Sequence, residues 1–226
     1  MDEPSVMIRE YLHDATRAIS ALPIEDITRV ATILHAAYAQ ERTIFVMGNG
    51  GSASTASHLA CDLNKGASMG ASKRFRVMAL TDNLPTILAL ANDIGYDAIF
   101  VEQLKCFARP GDVVIGISGS GNSPNVLKAV AYGREIGCTT IGVCGYNGGR
   151  LKKAADYSVH VALDDMQVVE DLHMMLVHIL MRVLSVHAVV GDRGIPAETW
   201  AGTATGTDGP RHRRAQTVPF RPAVRP

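Results

Sequence analysis

The chain has no excess of either charge: 22 Lys and Arg stand against 22 Asp and Glu. Composition therefore offers no basic surface for nucleic acid or for an anionic membrane. Cysteine is scarce. Cys61, Cys106, Cys138 and Cys144 form no C-x-x-C pair and no zinc-finger spacing, which argues against a disulfide framework or a structural zinc module. Four such thiols read as small apolar residues of a reducing compartment. There is no uncharged apolar span. The last hydrophobic segment is broken by Glu170, Asp171, His173, His178, Arg182 and His187, so it is not expected to cross a membrane. The start, MDEPSVMIREYLHD, is acidic and interrupted, unlike a signal peptide, and a cytoplasmic protein is the expectation. Two nucleotide signatures are missing as well. Gly48-Asn49-Gly50-Gly51 is followed by Ser-Ala-Ser, which is not G-x-G-x-x-G, and no Gly-Lys-Ser/Thr occurs.

What is present is an apolar content of 47% in 226 residues, enough for one α/β core with an appendage. The chain is organised around Met47 to Gly66, MGNGGSASTASHLACDLNKG. The β-branched and aromatic run Thr43 to Met47 precedes it and suits a buried strand. The glycines allow a tight turn with unobstructed amides, and Ser52 or Ser54 can cap the helix that follows. A strand, a Gly-rich turn and a helix start together favour an anion. Helical periodicity is expected over about 6–21 and 24–40, where Ile27, Val30, Ala31 and Leu34 share one face. The apolar faces of this N-terminal helical pair need partners. Further strands are expected at 76–80, 113–117, 139–143 and 157–161. Helices are expected at 84–91, 99–108, from Pro124 to about 136, near Leu151, and over 166–190. Five strands alternating with helices imply a parallel sheet covered on both faces, a three-layer doubly wound α/β fold with its ligand edge at the carboxyl ends of the strands. From Gly191 onward, Gly, Pro, Thr and Arg replace any apolar period. Residues 1–190 are expected to form the domain and 191–226 a mobile tail.

Two groups could carry chemistry. In SGSGNS, Ser118, Ser120 and Ser123 surround Gly119, Gly121 and Asn122 at the start of a helix. Three hydroxyls there suit three phosphate oxygens. His58 and Asp62 lie four apart on one helix. On the last helix Glu170 and His178 are eight apart, with Asp171 and His178 as a rival pair. His173 and His187 read as satisfied polar or interface histidines. Two imidazoles and two carboxylates, His58, Asp62, Glu170 and His178, form a candidate set for zinc or another divalent metal. By spacing alone, separate surface pairs remain the other reading.

The segments GNGGSASTASHLACDL, LANDIGYDAIF, GISGSGNSPNVLKAV and EDLHMMLVHIL resemble, in order, the bacterial phosphoheptose isomerases of the sugar isomerase (SIS) superfamily. The resemblance runs from about Met7 to Val190. It implies a flavodoxin-like SIS fold and a homotetramer with active sites between subunits, acting on sedoheptulose 7-phosphate. It places Asn49, Gly50, Gly51 and Ser52 on the substrate turn, and Asn92 and Asp93 at a second substrate contact. Ser118, Gly119, Ser120 and Ser123 fall on the phosphate loop, whose second residue is commonly Thr. His58 and His178 match metal ligands, and His178 also matches the catalytic histidine. Asp62 stands where the catalytic, metal-binding residue is usually Glu, and Glu170 stands where it is usually Gln. Aldose–ketose isomerisation through an enediol needs a base, a proton-exchanging partner and a holder of negative charge. The resemblance and this chemistry imply Asp62 as base, His178 as partner and a divalent ion, zinc above all, as Lewis acid. A non-catalytic relative that serves as a scaffold on the bacterial replication initiator lacks the carboxylate and the last-helix histidine. A regulatory sugar-phosphate sensor would carry a helix-turn-helix extension, and none is apparent. An isomerase of another phosphorylated ketose is the nearest alternative within the fold.

Overall fold

A computed structural model describes residues 3–191. The tail expected at 191–226 lies outside the described residues, apart from Gly191 at the end of the last helix. The order is α1 (Pro4–Ser20), α2 (Ile24–Ala39), β1 (Thr43–Met47), α3 (Gly51–Cys61), β2 (Arg76–Ala79), α4 (Leu84–Asp93), α5 (Val101–Phe107), β3 (Val113–Ser118), α6 (Pro124–Glu135), β4 (Thr139–Cys144), α7 (Leu151–Ala154), β5 (Tyr157–His160) and α8 (Met166–Gly191). A π-helical turn, Asp62–Ala67, continues α3, and a 3-10 turn, Tyr96–Ala98, precedes α5.

All pairings are parallel, in the order β2-β1-β3-β4-β5. From β1 the chain goes first to one side and then to the other. The order therefore reverses between β1 and β3, where a doubly wound sheet opens a crevice at its carboxyl edge. Alternation along β1 builds both cores. Ile44 and Val46 join Val30 and Leu34 of α2, Leu59 of α3 and Leu176 and Leu180 of α8. Phe45 and Met47 join Leu104 of α5, Val126 and Val130 of α6 and Leu151 of α7 on the other face. Every residue of β3 is buried, as a central strand covered twice requires. At the β2 edge the Asn64 side chain donates to the Val77 carbonyl at 2.8 Å and accepts from the Val77 amide at 2.9 Å. It thereby takes the place of a further strand on an edge that would otherwise be open.

The N-terminal pair divides. Ile27, Val30, Ala31 and Leu34 of α2 are all buried, as their spacing predicts. In α1 no residue is buried, and Met7, Ile8 and Leu12 are about 60% exposed. Its small residues Ala15 and Ala18 pack on Val161, Val168, Val169 and Leu172, which leaves the larger apolar side chains facing outward. Among the described residues no helix is long and apolar enough to cross a membrane.

Candidate active site at the strand-order switch

The turn after β1 forms because Gly50 takes φ +55°, a backbone conformation that suits glycine. Helix α3 then starts at Gly51, earlier than expected. Neither Ser52 nor Ser54 caps it: Gly50 is the N-cap, and Ser52 is buried inside the first turn. The amides at this start therefore keep their donors free of any side-chain cap.

Across the switch point, Asn49 and Asn125 exchange two amide hydrogen bonds, each 2.9 Å long. Asn49 Oδ1 also accepts from the Tyr96 hydroxyl at 2.9 Å, and Asn125 Oδ1 also accepts from the Val126 amide at 2.9 Å. This network ties the β1 turn to the start of α6. Neither Asn125 nor Tyr96 was singled out from the sequence. The available signal was weak: Asn is a poor helix former just inside a helix start, and here it is 1% exposed. Asn92 and Asp93, which were singled out, are exposed at the end of α4 and hydrogen-bond each other at 2.8 Å. Tyr96, three residues on, is the side chain that reaches the β1 turn.

The SGSGNS turn sits at the same edge. Ser118 and Ser123 hydroxyls are 3.0 Å apart, and the Ser120 hydroxyl accepts from the Asn122 amide at 3.2 Å. Ser123 is the N-cap of α6, yet its side chain makes no cap bond, so its hydroxyl still points to other partners.

His58, Asp62 and His178 form one cluster, with a ligand atom of each within 4.8 Å of the others. His58 Nε2 lies 3.1 Å from His178 Nε2 and 3.4 Å from Asp62 Oδ2. Two donor atoms on one tetrahedral zinc, each bound at 2.0–2.1 Å, stand about 3.3 Å apart. The observed separations match that edge, and two imidazoles with a carboxylate suit zinc and related divalent ions. Without a cation, one imidazole must hold a proton between the two nitrogens for the contact to be attractive. The Asp62 side chain is 21% exposed and that of His58 43%, so the cluster is reachable from solvent. Asp62 opens the π-helical turn, a widening that recurs at functional sites.

The structure does not bring the fourth expected ligand, Glu170, into this cluster. Its carboxylate lies against Gly51, in the space a side chain there would fill. The rival, Asp171, turns to α1 and accepts the Tyr11 hydroxyl. That bond, with burial and the charge of Asp171 adding to it, pushes Tyr11 up to about 12. His173 points into the core and is 1% exposed. Among the described residues neither ring nitrogen meets a partner at full hydrogen-bond geometry, and the Cys144 backbone offers a weaker one. Burial pushes it down to about 4, against a smaller opposing pull from the Cys144 backbone, and keeps it neutral. The His187 side chain lies outside the described residues.

Residues 10–145 match the SIS domain family. A probable phosphoheptose isomerase from Thermoplasma acidophilum is 39% identical over 172 residues, which covers 76% of this chain and 94% of that one. The phosphoheptose isomerase of Geotalea daltonii is 37% identical over 180 residues, covering 76% and 91%. The chain belongs to the phosphoheptose isomerase family of SIS-domain proteins. Solved structures agree. The phosphoheptose isomerase of Neisseria gonorrhoeae superposes with a TM-score of 0.76 at 26% identity, over 81% of this chain and all of that one. The enzyme from Francisella tularensis gives 0.77 at 26%, over 82% and 100%. Membership of this family makes the chain a sugar-phosphate isomerase, and the crevice between β1 and β3 is its candidate active site.

Proposed function

We propose that this isomerase interconverts sedoheptulose 7-phosphate and a heptose 7-phosphate through an enediol. The observation that carries the reading is the cluster of His58, Asp62 and His178, in a fold that also sets a hydroxyl-rich turn at the strand-order switch. In this reading Ser118, Ser120 and Ser123 donate hydroxyl bonds to the phosphate, with the Gly119 backbone between them. Asn49, Gly50, Gly51, Ser52, Asn92, Asp93 and Glu170 hold the sugar hydroxyls. Glu170 is placed on this side because it rests on the Gly51 turn.

The Asp62 carboxylate removes the proton from the carbon beside the carbonyl and returns it to the neighbouring carbon. His178 exchanges a proton with the two oxygens, so that neither carries a full negative charge. His58, Asp62 and His178 would hold a divalent ion, zinc by their donor set, which when bound supplies Lewis-acid polarisation of the carbonyl. The Asn49–Asn125–Tyr96 network keeps the β1 turn fixed while the substrate exchanges.

The catalytic domain in this proposal is 1–190, with 191–226 appended. The assembly is a homotetramer with active sites between subunits, supported by the outward-facing Met7, Ile8 and Leu12 of α1. A cytoplasmic setting is supported by the unpaired thiols of Cys61 and Cys106. The test is incubation of purified protein with sedoheptulose 7-phosphate and other ketose phosphates, before and after chelation and after zinc is restored, read by NMR. New anomeric signals from the heptulose phosphate that fade on chelation and return with zinc support the proposal. Conversion only of another ketose would reassign the substrate, and conversion of none would remove the activity.

A further inference from the structure

The two glycines of SGSGNS are there for different reasons. Gly121 has φ +65°, and a side chain on it would strike the Gly148 carbonyl, so the backbone alone demands glycine. Gly119 has no such conformation. What a side chain there would meet is a neighbour that must give way: a Cβ on Gly119 would lie 2.5 Å from Met166 Sδ and 3.2 Å from Met166 Cε, the far end of a flexible side chain. Met166 is the first residue of α8. One helical turn on, Glu170 occupies the equivalent space over Gly51, and Val169 occupies it over Gly145, where a Cβ would meet Val169 Cγ1 at 2.5 Å. The first turn of α8 is therefore set down on three side-chain-free positions beyond the ends of β1, β3 and β4. Asp165 anchors that turn, its carboxylate accepting the Val168 amide at 3.1 Å.

We propose that Met166 is a specificity-determining residue of the phosphate loop, its thioether standing where a fourth side chain of the loop would otherwise be. The inference rests on the reading of this turn as the phosphate site. Ser118, Ser120 and Ser123 offer three hydroxyls, and Met166 closes the fourth side with an apolar, polarisable wall. The resulting loop matches the three terminal oxygens of a phosphate monoester and has its volume set by α8 rather than by its own residues. Gly119 and Met166 thus share one space: a side chain on Gly119 displaces the Met166 thioether from the loop unless Met166 is shortened.

Calorimetric titration with sedoheptulose 7-phosphate tests this on four full-length proteins: parent, Gly119→Ser, Met166→Ala and the double variant. Gly119→Ser is expected to weaken binding by about tenfold or more. The double variant is expected to recover to within about threefold of parent, a non-additivity that contacting residues show and separate ones do not. Met166→Ala alone is expected to raise KM more than it lowers kcat, since the thioether borders the phosphate and not the reacting carbons. Thermal unfolding of each variant separates weak binding from a lost fold. Should Gly119→Ser fail to fold, recovery of both fold and binding in the double variant carries the same proof. Parent-like binding by Gly119→Ser, or a double variant no better than Gly119→Ser, overturns the pairing. A parent that binds no sugar phosphate overturns the isomerase reading and this inference with it, whereas a binding parent with additive variants overturns this inference alone.

Discussion

Asp62 shares a cluster with two imidazoles. Its proposed role makes a sharp demand: an amide of the same shape cannot accept a proton. Asp62→Asn should lower turnover by roughly 10²–10⁴-fold, the span typical of a lost general base. The loss should persist with metal saturating, as checked by NMR-monitored conversion and elemental analysis together. Retained turnover would move the base to His178. Tyr96 acts through Asn49, which also receives Asn125, so removing its hydroxyl leaves the acceptor partly satisfied. Tyr96→Phe should weaken sugar-phosphate binding by about 0.5–1.5 kcal/mol, the worth of one neutral hydrogen bond. Calorimetric titration checks it, and an unchanged affinity would show that the β1 turn does not need this tie.

At the scale of elements, helix α8 carries three different histidine or carboxylate environments on one rod. His178 faces the cluster, Glu170 the β1 turn and His173 the core. His173 is held down to about 4 by burial, whereas an unfolded chain titrates near the ordinary 6.5. Between these values the unfolded chain binds more protons. The contribution of neutral His173 is therefore full above pH 6.5 and is lost as pH falls toward 4. The expected loss between pH 7.5 and 5 is about 2 kcal/mol, read as a fall in urea midpoint. His173→Leu should flatten that dependence, and an equally steep fall in the variant would assign it to other groups. Much at this scale was legible in advance. The strand runs at 43–47, 113–118 and 139–144 are apolar, β-branched and bounded by glycine or proline, so period and punctuation agree. The π-helical turn after Cys61 was not legible. It depends on Ser68 Oγ bonding the Leu63 carbonyl at 2.8 Å and on Gly66 meeting Met181 of α8, contacts that no local pattern encodes. Glu170 escaped for the same reason: spacing on α8 puts it near the His178 stripe, but the empty side of Gly51 draws it elsewhere.

For the whole molecule, the doubly wound order puts the β1 turn and the SGSGNS turn side by side, tied by the Asn49–Asn125 bonds, while α3 and α8 bring His58, Asp62 and His178 into one cluster. The alternation of strands and helices made that gathering foreseeable, whereas the outward face of α1 could only be read from its packing. If that face is covered in an assembly, Leu12→Glu should reduce the mass seen by light scattering from a multimer toward a single chain and lower activity with it. A parent mass of one chain at full activity across micromolar concentrations would refute the proposed assembly. The central claim is that the Asp62 carboxylate moves a proton between neighbouring carbons of a heptulose phosphate. It is tested most directly by incubating the protein with sedoheptulose 7-phosphate in D₂O and following deuterium by NMR. The expected result is a heptose 7-phosphate signal together with deuterium at C1 of recovered ketose or C2 of product, both absent with Asp62→Asn. No new sugar phosphate and no deuterium in the parent protein, with zinc present, would contradict it.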